Sequence, residues 1–244
     1  MVHGLTAFDR LFASRRPEKE YFPGIRPILE AAGNRVFIPR LPATEGIETR
    51  AAVLRAHIRR ELGGQPFHLV GHSLGGLDSR YLISNLGFAG QVVTLTTMGT
   101  PHTGSSFADW CVDRFSRFFQ PLFRSLGIPC EGLFDLTTDH CIGFNARTPD
   151  AAGVRYFSVA GEIAEPMLAR GWRIPARIVE KQEGPNDGIV SVNSAKWGEG
   201  CDIWAGDHLN LVNWPNKRMV KAGESFDRAA DYGRMLQRMR SAER

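Results

Sequence analysis

The stretch Phe67-His68-Leu69-Val70-Gly71-His72-Ser73-Leu74-Gly75-Gly76 constrains the chain most, because a short apolar run ends there in Gly-x-Ser-x-Gly and passes straight into a segment of helical periodicity. Phe67 to Val70 follows the Gly63-Gly64-Gln65-Pro66 break and has the composition of a buried strand, while Leu74, Leu77, Tyr81 and Leu82 fall near helical spacing. A serine on so sharp a strand-to-helix turn is strained, and only glycine lets the neighbouring backbone come close enough. Gly71 and Gly75 therefore clear the space and Ser73 is left exposed. The pattern alone would arise by chance in about one chain in ten of this length. Its weight comes from the order strand, turn, helix: a helix starting at Leu74 aims free N–H groups and the positive end of its dipole at Ser73, favouring a negative oxygen there.

The rest of the chain alternates in the same way. Gly24 to Ala32 reads as a helix, Arg35 to Pro39 as a short buried strand, and Thr44 to Leu62 as a crossover helix carrying Ile47, Ala51, Val53, Leu54 and Ile58. Gln91 to Met98, Val154 to Ala160 and Cys201 to Trp204 read as further strands, and Ser225 to Met239 as an amphipathic last helix. Gly161 to Glu180 is poorly patterned. Alternation of this kind predicts an α/β fold, a mostly parallel sheet flanked by helices, in one domain over residues 1–244. Residues 105–145 interrupt it with Phe107, Trp110, Phe115, Phe118, Phe119, Leu122, Phe123, Leu126, Leu133 and Phe134 among few charges. They read either as core-facing helices or as an amphipathic helical lid, and their position after a sheet strand favours the lid.

Bulk properties exclude several classes. Thirty basic against 26 acidic residues leave a formal charge of +4 without a polybasic block, so nucleic acid is not an expected partner. No run is long enough to span a membrane and no signal-peptide pattern opens the chain, which sets the expectation of an intracellular protein, with a targeting segment upstream of Met1 left open. The four cysteines, Cys111, Cys130, Cys141 and Cys201, lack C-x-x-C spacing, so no structural zinc is expected and their disulfide status stays open.

A serine hydroxyl needs a histidine to take its proton and a carboxylate to orient that histidine; behind a Gly-x-Ser-x-Gly turn the chain order is serine, acid, histidine. Of the seven histidines only His208 lies beyond the Gly184-Pro185-Asn186-Asp187-Gly188 turn, in the loop after the last strand. Asp187, on that turn, is the first choice of acid over Asp109, Asp135, Asp150, Glu183, Asp202 and Asp207, although a plain Asn-Asp-Gly turn would use its carboxylate on its own backbone. His72 and His102 are expected only to line the site, His57 and His68 to be structural, and Asp78 and Arg80 to form a local ion pair.

Together, His3-Gly4, the 20–42 stretch, Gly-His-Ser-Leu-Gly-Gly-Leu-Asp-Ser-Arg-Tyr, Gly-Thr-Pro-His-Thr-Gly-Ser-Ser-Phe-Ala-Asp-Trp, Gly-Pro-Asn-Asp-Gly-Ile-Val-Ser-Val and Asp-His-Leu-Asn-Leu-Val-Asn-Trp resemble the α/β-hydrolase triacylglycerol lipases, fungal and bacterial, including the Pseudomonas and Burkholderia enzymes. The resemblance covers nearly the whole chain. It implies Ser73 as nucleophile, Asp187 as acid, His208 as base, and the backbone N–H groups of Leu5 and Leu74 as oxyanion hole, in an enzyme that cleaves carboxylic esters of lipids through an acyl-enzyme without a cofactor. Lipid or another ester is then the partner, met at a transient lipid–water interface. Two departures stand out. Almost no strand precedes His3, so either residues are missing upstream or the first strand is a truncated stub. Bacterial members bind calcium near the histidine through an aspartate and a glutamine where this chain has Asn210 and Trp214, so no metal is expected. The alternatives are a carboxylesterase for small soluble esters, an acyltransferase using the same acyl-enzyme, and a non-catalytic lipid-binding protein of the same fold.

Overall fold

In the computed structural model, residues 1–5, 20–118, 131–224 and 227–243 are described, with the side chains of 115–118 outside that description. Four apolar runs form strands β1 (Phe67–His72), β2 (Val92–Met98), β3 (Arg155–Glu162) and β4 (Cys201–Ala205), which pair in that order into one parallel sheet among the described residues. Leu69 stands opposite Leu95, Leu95 opposite Tyr156, and Ser158 opposite Cys201. Parallel pairing requires crossovers, and helices supply them. The described helices are α1 (Ile25–Ala31), α2 (Ile47–Leu62), α3 (Leu74–Asn85), α4 (Ser106–Phe118), α5 (Glu131–Phe134), α6 (Thr138–Arg147), α7 (Arg173–Glu183), α8 (Val192–Ala195), α9 (Lys217–Lys221) and α10 (Ala229–Ser241), of which α3 to α8 lie between strands.

Side chains alternate across a strand, so consecutive residues of β1 feed two cores. Leu69 joins Leu54 and Ile58 of α2, Leu82 and Ile83 of α3, and Leu95. Val70 faces the other way, to Ile25 and Leu29 of α1, Trp204, and Tyr232, Met235 and Met239 of α10. Each such side chain, once fully buried, contributes about 1.5–3 kcal/mol. All strands end on one side, so the loops carrying Ser73, Asp187 and His208 gather there, where parallel α/β sheets present their sites.

Several expectations change. Arg35 to Pro39 is not a strand: an extended run needs a paired neighbour, and here Val2 makes only an isolated parallel bridge to Gly71, while Met1 offers a single bond to Phe37 O. Helix α2 starts at Ile47 rather than Thr44 because the Asp135 Oδ2 accepts from Ile47 N at 2.6 Å. Helix α10 starts at Ala229, whose N donates to Asp227 Oδ1; Ser225, where the sequence placed its start, lies outside the described residues. The unpatterned stretch folds into two 3₁₀ turns and α7, which bury Leu168, Trp172 and Ala176. In the 105–145 insertion, Phe107, Ala108, Leu136, Cys141 and Phe144 are buried, as core helices would be, and Trp110 is 39 % exposed. Phe119, Leu122, Phe123, Leu126 and Cys130 lie outside the described residues. Cys111, Cys141 and Cys201 are free thiols.

Candidate active site

The turn after β1 is built from contacts that tolerate no side chain. A Cβ on Gly71 would lie 2.6 Å from Gly75 O and 2.7 Å from Gly76 Cα, and one on Gly75 would lie 2.5 Å from Val2 O and 2.7 Å from His3 O. Gly76, not singled out from the sequence, is equally confined, with Thr100 Oγ1 2.1 Å from its imagined Cβ. Ser73 sits at φ 55° and ψ −130°, a conformation costly for any residue with a side chain. It is held there by Ser73 N donating to Met98 O and Thr100 Oγ1 donating to Ser73 O, both at 2.9 Å. Contrary to expectation Ser73 is only 6 % exposed. The cleft it faces is walled by Leu5, Tyr21, Phe107, Leu133, Leu136, Trp172 and His208, with three of these supplied by the insertion.

Asp187 divides its carboxylate. Its Oδ1 accepts from Ile189 N and Val190 N, the bonds of a plain turn, while Oδ2 accepts from His208 Nδ1 at 2.7 Å. The two uses that competed in the sequence are therefore both made, on separate oxygens. His208 N also donates to Asp187 O at 2.9 Å. Gly99 and Gly161 leave the room: a Cβ on Gly161 would come within 2.7 Å of Asp187 Cβ. The other acids are occupied elsewhere. Asp109 accepts from Thr138, Asp150 from Trp197 Nε1, Asp202 from Arg238, Glu183 from Ser106 N and Ser191 Oγ, and Asp207 from Asn210 N and Asn216 Nδ2. Burial raises the Asp207 carboxyl above its ordinary range.

The loop at His3 and Gly4 lies against the turn, since a Cβ on Gly4 would meet Ser73 Cβ at 2.7 Å. Its buried anchor is Arg50 of α2, which donates from Nη2 to His3 O at 2.6 Å and from Nε to Asp78 Oδ2 at 2.9 Å. Asp78 thus pairs with Arg50, not with Arg80, because α3 turns the two residues to different sides. Burial pushes the Asp78 carboxyl up to about 7 against the pull of that guanidinium. Arg80 instead stacks 3.7 Å over the Trp197 ring and donates to Asn145 Oδ1 and Thr148 O. His102 packs on the same ring, fully buried, and does not line the cleft. The His3 ring accepts from Leu41 N through Nε2, and burial lowers its pKa to about 4.

Among the described residues neither Leu5 N–H nor Leu74 N–H finds a protein acceptor, and both residues are buried beside Ser73. Near His208, Asn210 Oδ1 accepts from Arg228 Nη2, and Trp214 Nε1 donates to Tyr21 O at 3.0 Å. No group of three or more His, Cys, Asp or Glu able to hold a metal ion occurs among the described residues.

Comparison with known proteins gives consistent relatives. The model of the alpha/beta hydrolase family matches residues 1–241. Triacylglycerol lipase 2 of Saccharomyces cerevisiae is 36 % identical over 232 residues, covering 86 % of this chain and 70 % of its own length. The triacylglycerol lipase of Pseudomonas fragi is 27 % identical, covering 87 % of this chain and 86 % of its own. Among solved structures, Staphylococcus hyicus lipase superposes with a TM-score of 0.72 at 18 % identity, over 99 % of this chain and 95 % of that one.

Proposed function

The chain belongs to the alpha/beta hydrolase family and is a carboxylic ester hydrolase within it; from that premise we propose that it cleaves carboxylic esters of lipids with Ser73 as nucleophile, His208 as base and Asp187 as the acid that orients it. The observation that carries this reading is the 2.7 Å bond between His208 Nδ1 and Asp187 Oδ2 in the cleft that Ser73 also lines. With Nδ1–H retained and hydrogen-bonded to the carboxylate, the imidazole presents a basic Nε2 for the serine proton.

Ser73 Oγ attacks the ester carbonyl carbon as its proton passes to His208. The oxygen that turns negative is received by the N–H groups of Leu5 and Leu74, whose lack of another acceptor among the described residues suits them to it. Collapse breaks the ester C–O bond, and His208 returns its proton to the departing alcohol. Water then attacks the acyl-enzyme through the same base, releasing the carboxylic acid and restoring Ser73. No oxidation state changes, so side chains and water suffice. The strained turn keeps Ser73 at the start of α3 throughout, so little reorganisation is required at the moment of reaction.

Phe107, Leu133 and Leu136 give the cleft an apolar wall suited to an acyl chain, and they support residues 105–145 as a cap over the site. Trp110 and Ile174, both exposed, would meet a lipid surface beside it. Among the described residues no helix is long and apolar enough to cross a membrane. Turnover of p-nitrophenyl esters from short to long acyl chains, with Ser73→Ala as blank, tests the reading. We expect that variant to lose at least about 10⁴-fold in kcat, and chain lengths of eight carbons or more to be preferred. Equal turnover by parent and variant would remove Ser73 from the mechanism, and a preference for acetate would replace lipids with small soluble esters.

A further inference from the structure

His72 is a fully buried imidazole, in ring contact with His208 at 4.5 Å between centroids, for which ester cleavage has no use. A buried polar ring costs free energy unless its nitrogens are bonded, and both are. Its Nε2 lies 3.0 Å from His208 O and its Nδ1 lies 2.8 Å from the Tyr21 hydroxyl, which is in turn 3.0 Å from Gly4 N. We infer that Tyr21 and His72 are positioning residues forming a hydrogen-bond relay that ties the oxyanion loop at Gly4 to the backbone of the catalytic histidine. The inference rests on the site reading above and adds to it the means by which the two sides of the site keep register.

Donor counting gives the relay one direction. Gly4 N–H can only donate, so the Tyr21 oxygen accepts. His208 C=O can only accept, so Nε2 of His72 carries the ring proton. In the neutral ring Nδ1 is then a lone pair, and the Tyr21 hydroxyl must donate to it. Burial, with the His208 and His3 rings as neighbours, holds the His72 proton affinity well below its ordinary value and so keeps the ring in that neutral form.

The consequence falls on Leu5. A glycine is the freest hinge a chain has, and Gly4 cannot be replaced because of its approach to Ser73. Both of its peptide planes are instead pinned from outside. The plane before it is held by Arg50 on His3 O and by Tyr21 on Gly4 N–H. The plane after it is held at Gly4 O by His3 Nδ1 at 2.8 Å, with Arg50 Nη2 at 3.4 Å. A trans peptide is planar, so fixing Gly4 C=O fixes Leu5 N–H in the opposite direction. Remove the Tyr21 hydroxyl and one of those pins goes, together with the link to His208.

The test is Tyr21→Phe, which keeps the ring and deletes one oxygen, alongside His72→Gln and the double variant, on p-nitrophenyl butyrate with Ser73→Ala as blank. Displacing an oxyanion donor acts on the transition state, so kcat should fall about ten-fold or more with KM within two-fold. The double variant should be no slower than the slower single, because one relay is broken once. Imidazole ¹⁵N resonances of the parent should show His72 protonated at Nε2, with the Nδ1 signal moving in Tyr21→Phe. A kcat within two-fold of the parent, additive single effects, or a His72 protonated at Nδ1 would each overturn the relay. Loss of Ser73-dependence in the parent itself would overturn the site reading, whereas Ser73-dependent turnover untouched by Tyr21→Phe would overturn the relay alone.

Discussion

The serine turn and the oxyanion loop touch at Ser73, yet they are held by opposite means. At the turn, the constraint is close packing: Gly71, Gly75 and Gly76 lie within three residues of Ser73, and none has room for a methyl group against the turn itself, the 2–3 backbone or Thr100. At the loop, the constraint is collected from afar. Arg50 donates to His3 O, Leu41 donates to the His3 ring, and Tyr21 accepts from Gly4 N–H. A strained conformation survives only where the surroundings over-determine it, and here over-determination comes once from packing of the backbone and once from polar side chains. The difference implies that Ser73 and the N–H donors proposed for the oxyanion can be uncoupled experimentally.

The strongest break is at Arg50. Arg50→Met removes the clamp and strands Asp78, which is fully buried, without its cation. Losing one partner of a buried pair costs about 3–5 kcal/mol. The carboxyl already holds its proton up to about 7, so the folded state binds a proton more tightly than the unfolded one, and this contribution to stability is lost as pH rises from about 4 through 7. Denaturant unfolding should therefore show the larger loss at pH 8 and a smaller one at pH 5, where protonated Asp78 needs no partner. A loss below about 1 kcal/mol at both would mean that the loop has other anchors.

A gentler break uses acid. His3 has its pKa lowered to about 4 by burial, against about 6.5 in the unfolded chain. Its neutral form is favoured in the fold, so the associated stability is complete above about 6.5, is lost as pH falls toward 4, and changes no further below that. A shift of this size is worth up to about 3 kcal/mol. His3→Gln cannot titrate, so the drop in melting temperature from pH 7 to pH 4.5 should be smaller than in the parent. The opposite slope from Asp78 is common to both proteins and cancels in the difference. Equal slopes would place the acid sensitivity in His72 or His102, both also lowered by burial.

The same contrast explains what could be read in advance. Spacing finds the turn, because Gly71 and Gly75 approach one another directly, and chain order together with the Asn186-Asp187-Gly188 turn points to Asp187 and His208 as a pair. Neither reaches Arg50 and Asp78, whose pairing joins α2 to α3 and depends on how two helices are packed. The sequence suggested Arg80 for that role by proximity, but proximity on a helix says nothing about which face is buried. Tyr21 and His72 were missed for a related reason. A lone tyrosine ahead of a helix and a histidine at the free position of a motif carry no pattern, and only the fold brings them within 2.8 Å. Arg35 to Pro39 failed in the other direction: it has the composition of a strand but, among the described residues, no adjacent strand with which to pair.

The smallest change is also the sharpest comparison, since the same substitution at two glycines meets two different obstacles. In Gly71→Ala the new methyl group runs into Gly75 O and Gly76 Cα, backbone of the turn itself, which has nowhere to go. In Gly75→Ala it runs into Val2 O and His3 O, the loop side, a separate stretch of chain held by two backbone bonds between Val2 and β1 and by Arg50 on His3 O. Overpacking of this kind costs about 1–3 kcal/mol, so both variants should be destabilised, Gly71→Ala more. Their activities should separate in the other sense. A loop pushed aside by Gly75→Ala moves Leu5 N–H from the place proposed for the oxyanion, and a displacement near 1 Å costs about 10²-fold in rate, with Ser73 still open to a fluorophosphonate probe. Slow turnover with retained labelling in Gly75→Ala would show that the nucleophile stands without its loop. Parallel loss of labelling and turnover would mean that the two regions are one unit after all.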